Sequence, residues 1–438
     1  MVGPVISLDV SGTERYLPPD ALSALAAPVA EIAADLEARR GPGAEFLGWL
    51  DLPERIGEAE LSAYEETATR ARDSEFFIVI GIGGSYLGAR AVLEALQPRH
   101  TGRGPQVLFA GHGLAAAELD RLLGEIRDRE VRLCVISKSG TTLEPAVAFR
   151  VLRERMVERY GREVAARRII AITDAERGAL RRLADAEGYR TFVVPEDVGG
   201  RFSVLTPVGL LPLAVAGVDV RALVSGAAEM RERCRAVELR ENPAHLYAAC
   251  RHALYERGFV VEVLSAFHPD LRLVLEWWKQ LFGESEGKDG RGIFPASAVF
   301  TTDLHSLGQY LQDGRRMLLE TLLHVRETAA GLRVPPVPED GEPGGGDGLG
   351  YLVGRSLDEI NHHAYLGTRA AHVDGGVPCL SLELQRLDAV TVGALLYMFE
   401  KAVAVSARLL GVNPFDQPGV EAYKSEMFRL LGRPEARG

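Results

Sequence analysis

Lysine is scarce in this 438-residue chain. Only Lys138, Lys279, Lys288, Lys401 and Lys424 stand among 50 basic residues, and the rest are arginine. Gene composition turns replaceable surface lysines into arginine, so the survivors are enriched where a compact, titratable ammonium cannot give way to a planar guanidinium. Cysteine is scarce too. Cys134, Cys234, Cys250 and Cys379 are widely scattered, with no CxxC and no histidine at ligand spacing, which argues against disulfides or zinc and for small core hydrophobes. There is no excess of positive charge: 61 acidic residues outweigh the basic ones, for a net −11, so the chain repels a nucleic acid backbone and must hold any anionic substrate with local groups. No basic region with an apolar core opens MVGPVISLDVSGTERYLPPD. The longest apolar stretch, Val204 to Val218, is interrupted by Pro207 and Pro212 and is too short to span a bilayer. A cytoplasmic protein with no membrane and no nucleic acid partner is expected.

With 47% hydrophobic and 25% charged residues the chain has an ordinary globular composition and enough length for two or three domains. Residues 20–39 and 57–72 read as amphipathic helices. Short apolar runs at 76–80, 107–110, 131–136, 168–172 and 191–194 then alternate with helix-like segments, the rhythm of a parallel sheet covered by helices. The rhythm yields to a largely helical stretch across 203–257. It returns at 259–264, 293–299, 317–325 and 377–382, before closing helices at 388–411 and 416–432. The expected organisation is an N-terminal helical arm over 1–55, a first α/β domain over 56–218 and a second over 219–438, with the Pro- and Gly-rich 335–350 as a surface insertion.

Two turns carry anion-binding chemistry. FFIVIGIGGSYLGAR sets Gly81, Gly83 and Gly84 between a strand and a helix, where backbone N–H groups and the helix dipole favour an anion, and Ser85 adds a hydroxyl. A dinucleotide fingerprint fails because its third glycine falls on Tyr86. VISKSGTTLEP offers Ser137, Ser139, Thr141 and Thr142 around Lys138 and Gly140, with Pro145 in the following helix. A helix N-cap needs one hydroxyl, and four exceed it. Two such turns at the carboxyl ends of strands in one sheet describe a crevice for a phosphomonoester.

Acid–base candidates lie further on. EWWKQLFGESEGK places Glu284 and Glu286 in a Gly-flanked turn after a helix rich in aromatic bulk, where a carboxylate can be tuned for proton abstraction. TTDLHSLGQ holds His305 at a helix start, with Thr302 or Asp303 as the cap. Arg201 follows two glycines in DVGGRFSVLTPVG. In NPFDQPGVEAYK, Gln417 and Lys424 are seven residues apart, two turns along one face if helical.

In this order and combination, GIGGSYLGAR, SKSGTTLEP, VGGRFSVLTPVG, GESEGK, TTDLHSLGQ and NPFDQPGVEAYK resemble the phosphoglucose isomerase family of bacterial type, from about residue 40 to 432. The resemblance implies two αβα sandwich domains of sugar-isomerase (SIS) type in a homodimer, acting without metal or organic cofactor on glucose 6-phosphate and fructose 6-phosphate in glycolysis and gluconeogenesis. It implies that Ser85, Ser137, Ser139, Thr141 and Thr142, with the backbone at Gly84 and Lys138, hold the sugar phosphate. Glu284 then matches the base between C2 and C1, while Glu286 falls where relatives can carry an uncharged amide. His305, supplied by the partner subunit, and Lys424 match the ring-opening pair, Gln417 a substrate contact, and Arg201 the cation beside the enediolate. An aldose–ketose exchange needs these three services: a donor and a base to open the hemiacetal, one base for the carbon-bound proton, and a fixed cation for the developing charge. Three other readings share parts of the pattern. An isomerase that also takes mannose 6-phosphate would keep the same chemical groups, a kinase would need the missing P-loop, and a phosphosugar sensor would have no use for Glu284, His305 and Lys424.

Overall fold

The apolar runs become strands. In the computed structural model, which describes residues 4–96, 104–327, 331–337 and 346–433, ten strands form two five-stranded sheets. They are β1 (Ile6–Asp9), β2 (Phe76–Ile80), β3 (Gln106–Ala110), β4 (Val131–Ile136), β5 (Ile169–Thr173), β6 (Arg190–Val193), β7 (Val261–Ala266), β8 (Phe294–Val299), β9 (Leu318–Glu327) and β10 (Cys379–Arg386). The first sheet runs β3-β2-β4-β5-β6 and is parallel throughout. The second runs β1-β10-β9-β7-β8, parallel except at its edge.

Both sheets are covered on both faces; in the first, β2 and β5 accordingly read as near-continuous apolar runs, while β7 and β9 of the second also bury Glu262 and Glu320. Side chains alternate along β2: Phe77 and Val79 enter the central core, while Ile78 and Ile80 pack outward against Phe149, Leu152 and Met156. In the second sheet Leu264, Leu319 and Leu382 join that same central core, and Val263, Leu318 and Leu322 face an outer one. The fold is α/β, two αβα sandwiches back to back around a shared core. The helix Ala389–Leu409 is long and apolar enough to cross a bilayer, and it runs through this core with 89% of its apolar window buried.

The N-terminal segment departs from expectation. Residues 1–55 do contain the helix Ala21–Glu37, but they also supply β1, antiparallel to β10 with Ile6 opposite Leu384 and Asp9 opposite Ser381. Fully buried Ile6 and Leu47, with Trp49, make this segment part of the central core instead of a helical arm. Of the 335–350 insertion, positions 338–345 lie outside the described residues; Arg333 bridges to Ser356 at its base.

Register places the crevice. Ile80 at the end of β2 stands level with Ala110 of β3 and Val135 of β4, so the turns leaving β2 and β4 emerge side by side at the carboxyl edge.

Candidate active site

The first turn is a single 3₁₀ turn, Gly83–Ser85, entering the helix Leu87–Leu96. Gly84 is required by a close approach: a Cβ there would lie 1.9 Å from the Gly200 carbonyl oxygen, so only glycine lets the 199–201 segment pass. That crossing carries Arg201 into the site. In the second turn Gly140 has φ +73° and no room for a side chain beside Leu180. Ser137 Oγ accepts from the Gly140 amide at 3.0 Å, and Ser139 Oγ accepts from the Thr141 amide and hydroxyl at 3.1 and 3.0 Å. Thr142 is the N-cap of the helix Leu143–Tyr160, yet its hydroxyl makes no cap bond, and it lines the crevice described below. Lys138 turns its ammonium to the Glu196 carbonyl at 3.0 Å, so its contribution to the turn is its backbone.

Glu284 and Glu286 do not sit in a turn after a helix. The helix Arg272–Glu286 continues through Gly283 and both carboxylates, and it stops at Gly287. Trp277, Trp278, Leu281 and Phe282 bury its inner face, and burying each of these side chains contributes about 1.5–3 kcal/mol toward holding the helix in place. Two residues along a helix is about 200° of rotation, so the two carboxylates diverge. Glu286 is fully buried against Arg251, with Nη2 to Oε2 at 3.1 Å, while Glu284 faces the crevice.

Three donors hold Glu284. Gln280 Nε2 donates to Oε1 at 3.0 Å, Gln417 Nε2 donates to Oε2 at 2.6 Å, and Arg201 Nη1 reaches Oε2 at 3.3 Å. Arg201 is 2% exposed and braced on every side: Nε donates to Ser285 Oγ at 2.8 Å, and Nη2 donates to the Pro414 and Asp416 carbonyls. Burial draws its pKa down, and Glu284 and Asp416 partly offset this. It is a fixed cation in a partly dry site, suited to stabilise charge that develops on a substrate oxygen.

A crevice of about 490 Å³ runs over Gly84, Ser85, Ser139, Thr141, Thr142, Arg201, Glu284, Gln417 and Lys424. An adjoining cleft of about 610 Å³ adds Ser137 and Lys138 while sharing Ser85, Ser139, Thr142 and Gln417. Gln417 is followed by the 3₁₀ turn Pro418–Val420 and Lys424 lies on the helix Glu421–Leu430; they reach one crevice without sharing one helix. Lys424 pairs with Glu421 at 2.9 Å. His305 stands apart. It ends the exposed 3₁₀ turn Thr302–His305 after β8, the far edge strand of the second sheet, and lines neither cleft. The N-cap of that turn is Thr301, not Thr302 or Asp303, and it makes no side-chain cap bond; Asp303 Oδ2 instead accepts from the Val299 amide at 2.7 Å, tying the turn back to β8.

Three groups near Glu284 were not anticipated. Gln280 and Ser285 lie within a helical pattern that hides their direction, and Lys288 bonds the loop carrying Gln417. Only Lys288 carried a signal, its rarity.

Residues 65–301 and 350–435 match the family model of phosphoglucose isomerase. The glucose-6-phosphate isomerase of Symbiobacterium thermophilum is 57% identical over 413 residues, covering 92% of this chain and 91% of that one. The glucose-6-phosphate isomerase of Parabacteroides distasonis is 49% identical over 436 residues, covering 98% and 96%. The crystal structure of a glucose-6-phosphate isomerase from Chlamydia trachomatis has the same fold, with a TM-score of 0.80 at 21% identity, covering all of this chain and 91% of that one.

Proposed function

The chain belongs to the phosphoglucose isomerase family and interconverts glucose 6-phosphate and fructose 6-phosphate, and on that premise we propose how its residues divide the work. The phosphate lies on the two turns, taken by the hydroxyls of Ser85, Ser137, Ser139, Thr141 and Thr142 and by the backbone at Gly84 and Lys138. Neutral donors suffice there, in keeping with an acidic chain. Lys424 and His305 open the ring as donor and base. Glu284 then takes the proton from C2 of the open-chain aldose and returns it to C1, while Arg201 holds the enediolate oxygens and Gln417 orients the carboxylate. The observation that carries this reading is the Glu284 carboxylate, held by three donors at the mouth of a hydroxyl-lined crevice beside a buried guanidinium.

We further propose that the active form is a cytoplasmic homodimer and that His305 serves the partner's crevice. In support, His305 is exposed, lines neither cleft around its own Glu284, and is flanked by exposed Leu307 and Tyr310. Residues 56–218 then act as the phosphate-binding domain, and 219–438 as the domain that presents Glu284, Gln417 and Lys424.

Subunit mixing tests both ideas. Glu284→Gln and His305→Ala should each lose roughly 10²-fold or more in turnover. Unfolded together and refolded, half the dimers are mixed and each mixed dimer has one intact site, so about a quarter of the wild-type activity returns. No recovery, with mixed dimers demonstrated, would place His305 and Glu284 of one chain in the same site. An active Glu284→Gln enzyme would remove Glu284 from the role of base.

A further inference from the structure

One of the scarce lysines has no part in the reaction so far. Lys288 lies four residues beyond Glu284, just past the end of its helix, and its side chain is only 8% exposed. Its ammonium donates to the Asn413 carbonyl and pairs with Asp416 Oδ1 at 2.9 Å. Those two residues bracket the short loop that leads to Gln417. The loop is pinned elsewhere as well: Phe415 packs edge-on to Phe202 at 5.3 Å, and Asn413 Oδ1 accepts from the Phe415 amide at 3.0 Å. Arg201 grips Pro414 closely, but its reach to the Asp416 carbonyl is a long 3.4 Å. The peptide from Asp416 to Gln417 therefore depends on Lys288 for its tight anchor. Beyond it, the Gln417 amide makes the shortest hydrogen bond to Glu284.

The chemistry of the side chain fits this task. A compact tetrahedral ammonium directs separate N–H bonds to a carbonyl and to a carboxylate, which the bulkier planar guanidinium fork copies poorly. Arginine substitution is therefore resisted here in a chain that otherwise favours it.

We propose that Lys288 is a positioning residue of the isomerisation: by fixing the 413–417 loop it aims the Gln417 amide and so sets the orientation of the Glu284 carboxylate. The inference rests on Glu284 being the base. Lys288 touches no substrate atom in this scheme, and the phosphate turns do not depend on it.

The test uses Lys288→Met, Lys288→Arg and Asp416→Asn in the full-length enzyme, beside Glu284→Gln. Lys288→Met should lower kcat about 10- to 100-fold, as small misplacements of a catalytic group do, with KM for fructose 6-phosphate within about 3-fold. Lys288→Arg should recover part of the loss. Asp416 is half exposed, so Asp416→Asn breaks the same link with little risk to folding, and the double variant should be no worse than Lys288→Met alone. Wild-type kcat in both Lys288→Met and Asp416→Asn, or a loss carried by KM instead of kcat, would overturn the inference, whatever happens to melting temperature. An inactive Glu284→Gln beside fully active Lys288 and Asp416 variants refutes this role alone. An active Glu284→Gln refutes the base assignment itself.

Discussion

Glu284→Gln and Glu286→Gln remove the same charge two residues apart and should fail in opposite ways. Glu286 is fully buried, and its carboxylate faces the Arg251 guanidinium through both oxygens. Arg251 also donates from Nε to Glu262 and from Nη1 to Ser406 Oγ at 2.7 Å, and it lies over the Phe282 ring at 4.4 Å. Burial works against its charge, but Glu262 and Glu286 more than compensate and hold its pKa above the ordinary guanidinium value. Deleting one partner of a buried pair costs about 3–5 kcal/mol when the other charge is stranded. Here Glu262 still neutralises Arg251, and an amide oxygen at 286 still accepts one of the two bonds. The cost should therefore be about 2 kcal/mol, mostly from turning an NH₂ toward a guanidinium N–H. In a protein of 438 residues, with about 2.1 cal/mol/K of unfolding entropy per residue, that lowers the melting temperature by roughly 2 °C. Turnover at 25 °C should stay within about threefold of wild type, because neither Arg201 nor Gln417 touches Glu286. The assay pairs initial rates from fructose 6-phosphate with a thermal melt of the same preparation. A hundredfold loss of turnover at an unchanged melting temperature would refute the division between the two carboxylates. An unchanged melt would show that the buried pair contributes nothing to stability.

Gly84→Ala should force the Gly83–Ser85 turn away from the 199–201 segment at the Gly200 carbonyl. We expect about 1–3 kcal/mol of destabilisation and roughly 10²-fold lower turnover, and near-normal rates would mean that the 199–201 segment yields freely. Low pH should unfold the protein through two buried histidines. Burial, with Lys401 nearby, pushes His245 down to about 3, and burial, with His362 nearby, pushes His324 down to about 4. The native state therefore binds fewer protons than the unfolded chain. The stability these groups contribute is complete above about pH 6.5 and is lost as pH falls toward 4, by about 3 kcal/mol each. Urea unfolding at pH 7, 6, 5 and 4 reads this directly, and a flat profile from 6.5 to 4.5 would refute it.

Much of this architecture was legible because its signals are local. The buried parallel strands are short apolar runs, and the phosphate turns announce themselves by glycine and hydroxyl density after a strand. β1 was not legible: ISLD is half polar, and its only reason to be a strand is an edge of β10 hundreds of residues away. The choice between Glu284 and Glu286 could not be made from spacing in what read as a turn, and was made on resemblance. Once the helix is known to run through both, its rotation separates them. His305 was recognisable as a motif, but no local signal placed it on a turn that lines neither cleft beside Glu284. The rarity of Lys288 was visible from the start, yet its purpose depends on a loop more than 120 residues further along.

The pairing of β1 with β10 also sets a timetable for synthesis. The first sheet is assembled from one continuous stretch, 76–193, and can close while the ribosome is still working. β1 leaves the ribosome before any of it, but the strand it must pair with is made about 370 residues later. At about 5–20 residues per second, that is roughly 20–70 s during which Ile6 and its neighbours have no native partner. The nascent chain thus carries β1 unpaired, with Ile6 not yet covered, until β10 has been made. Chaperone binding during translation, and misassembly on release before β10, are both to be sought at this strand.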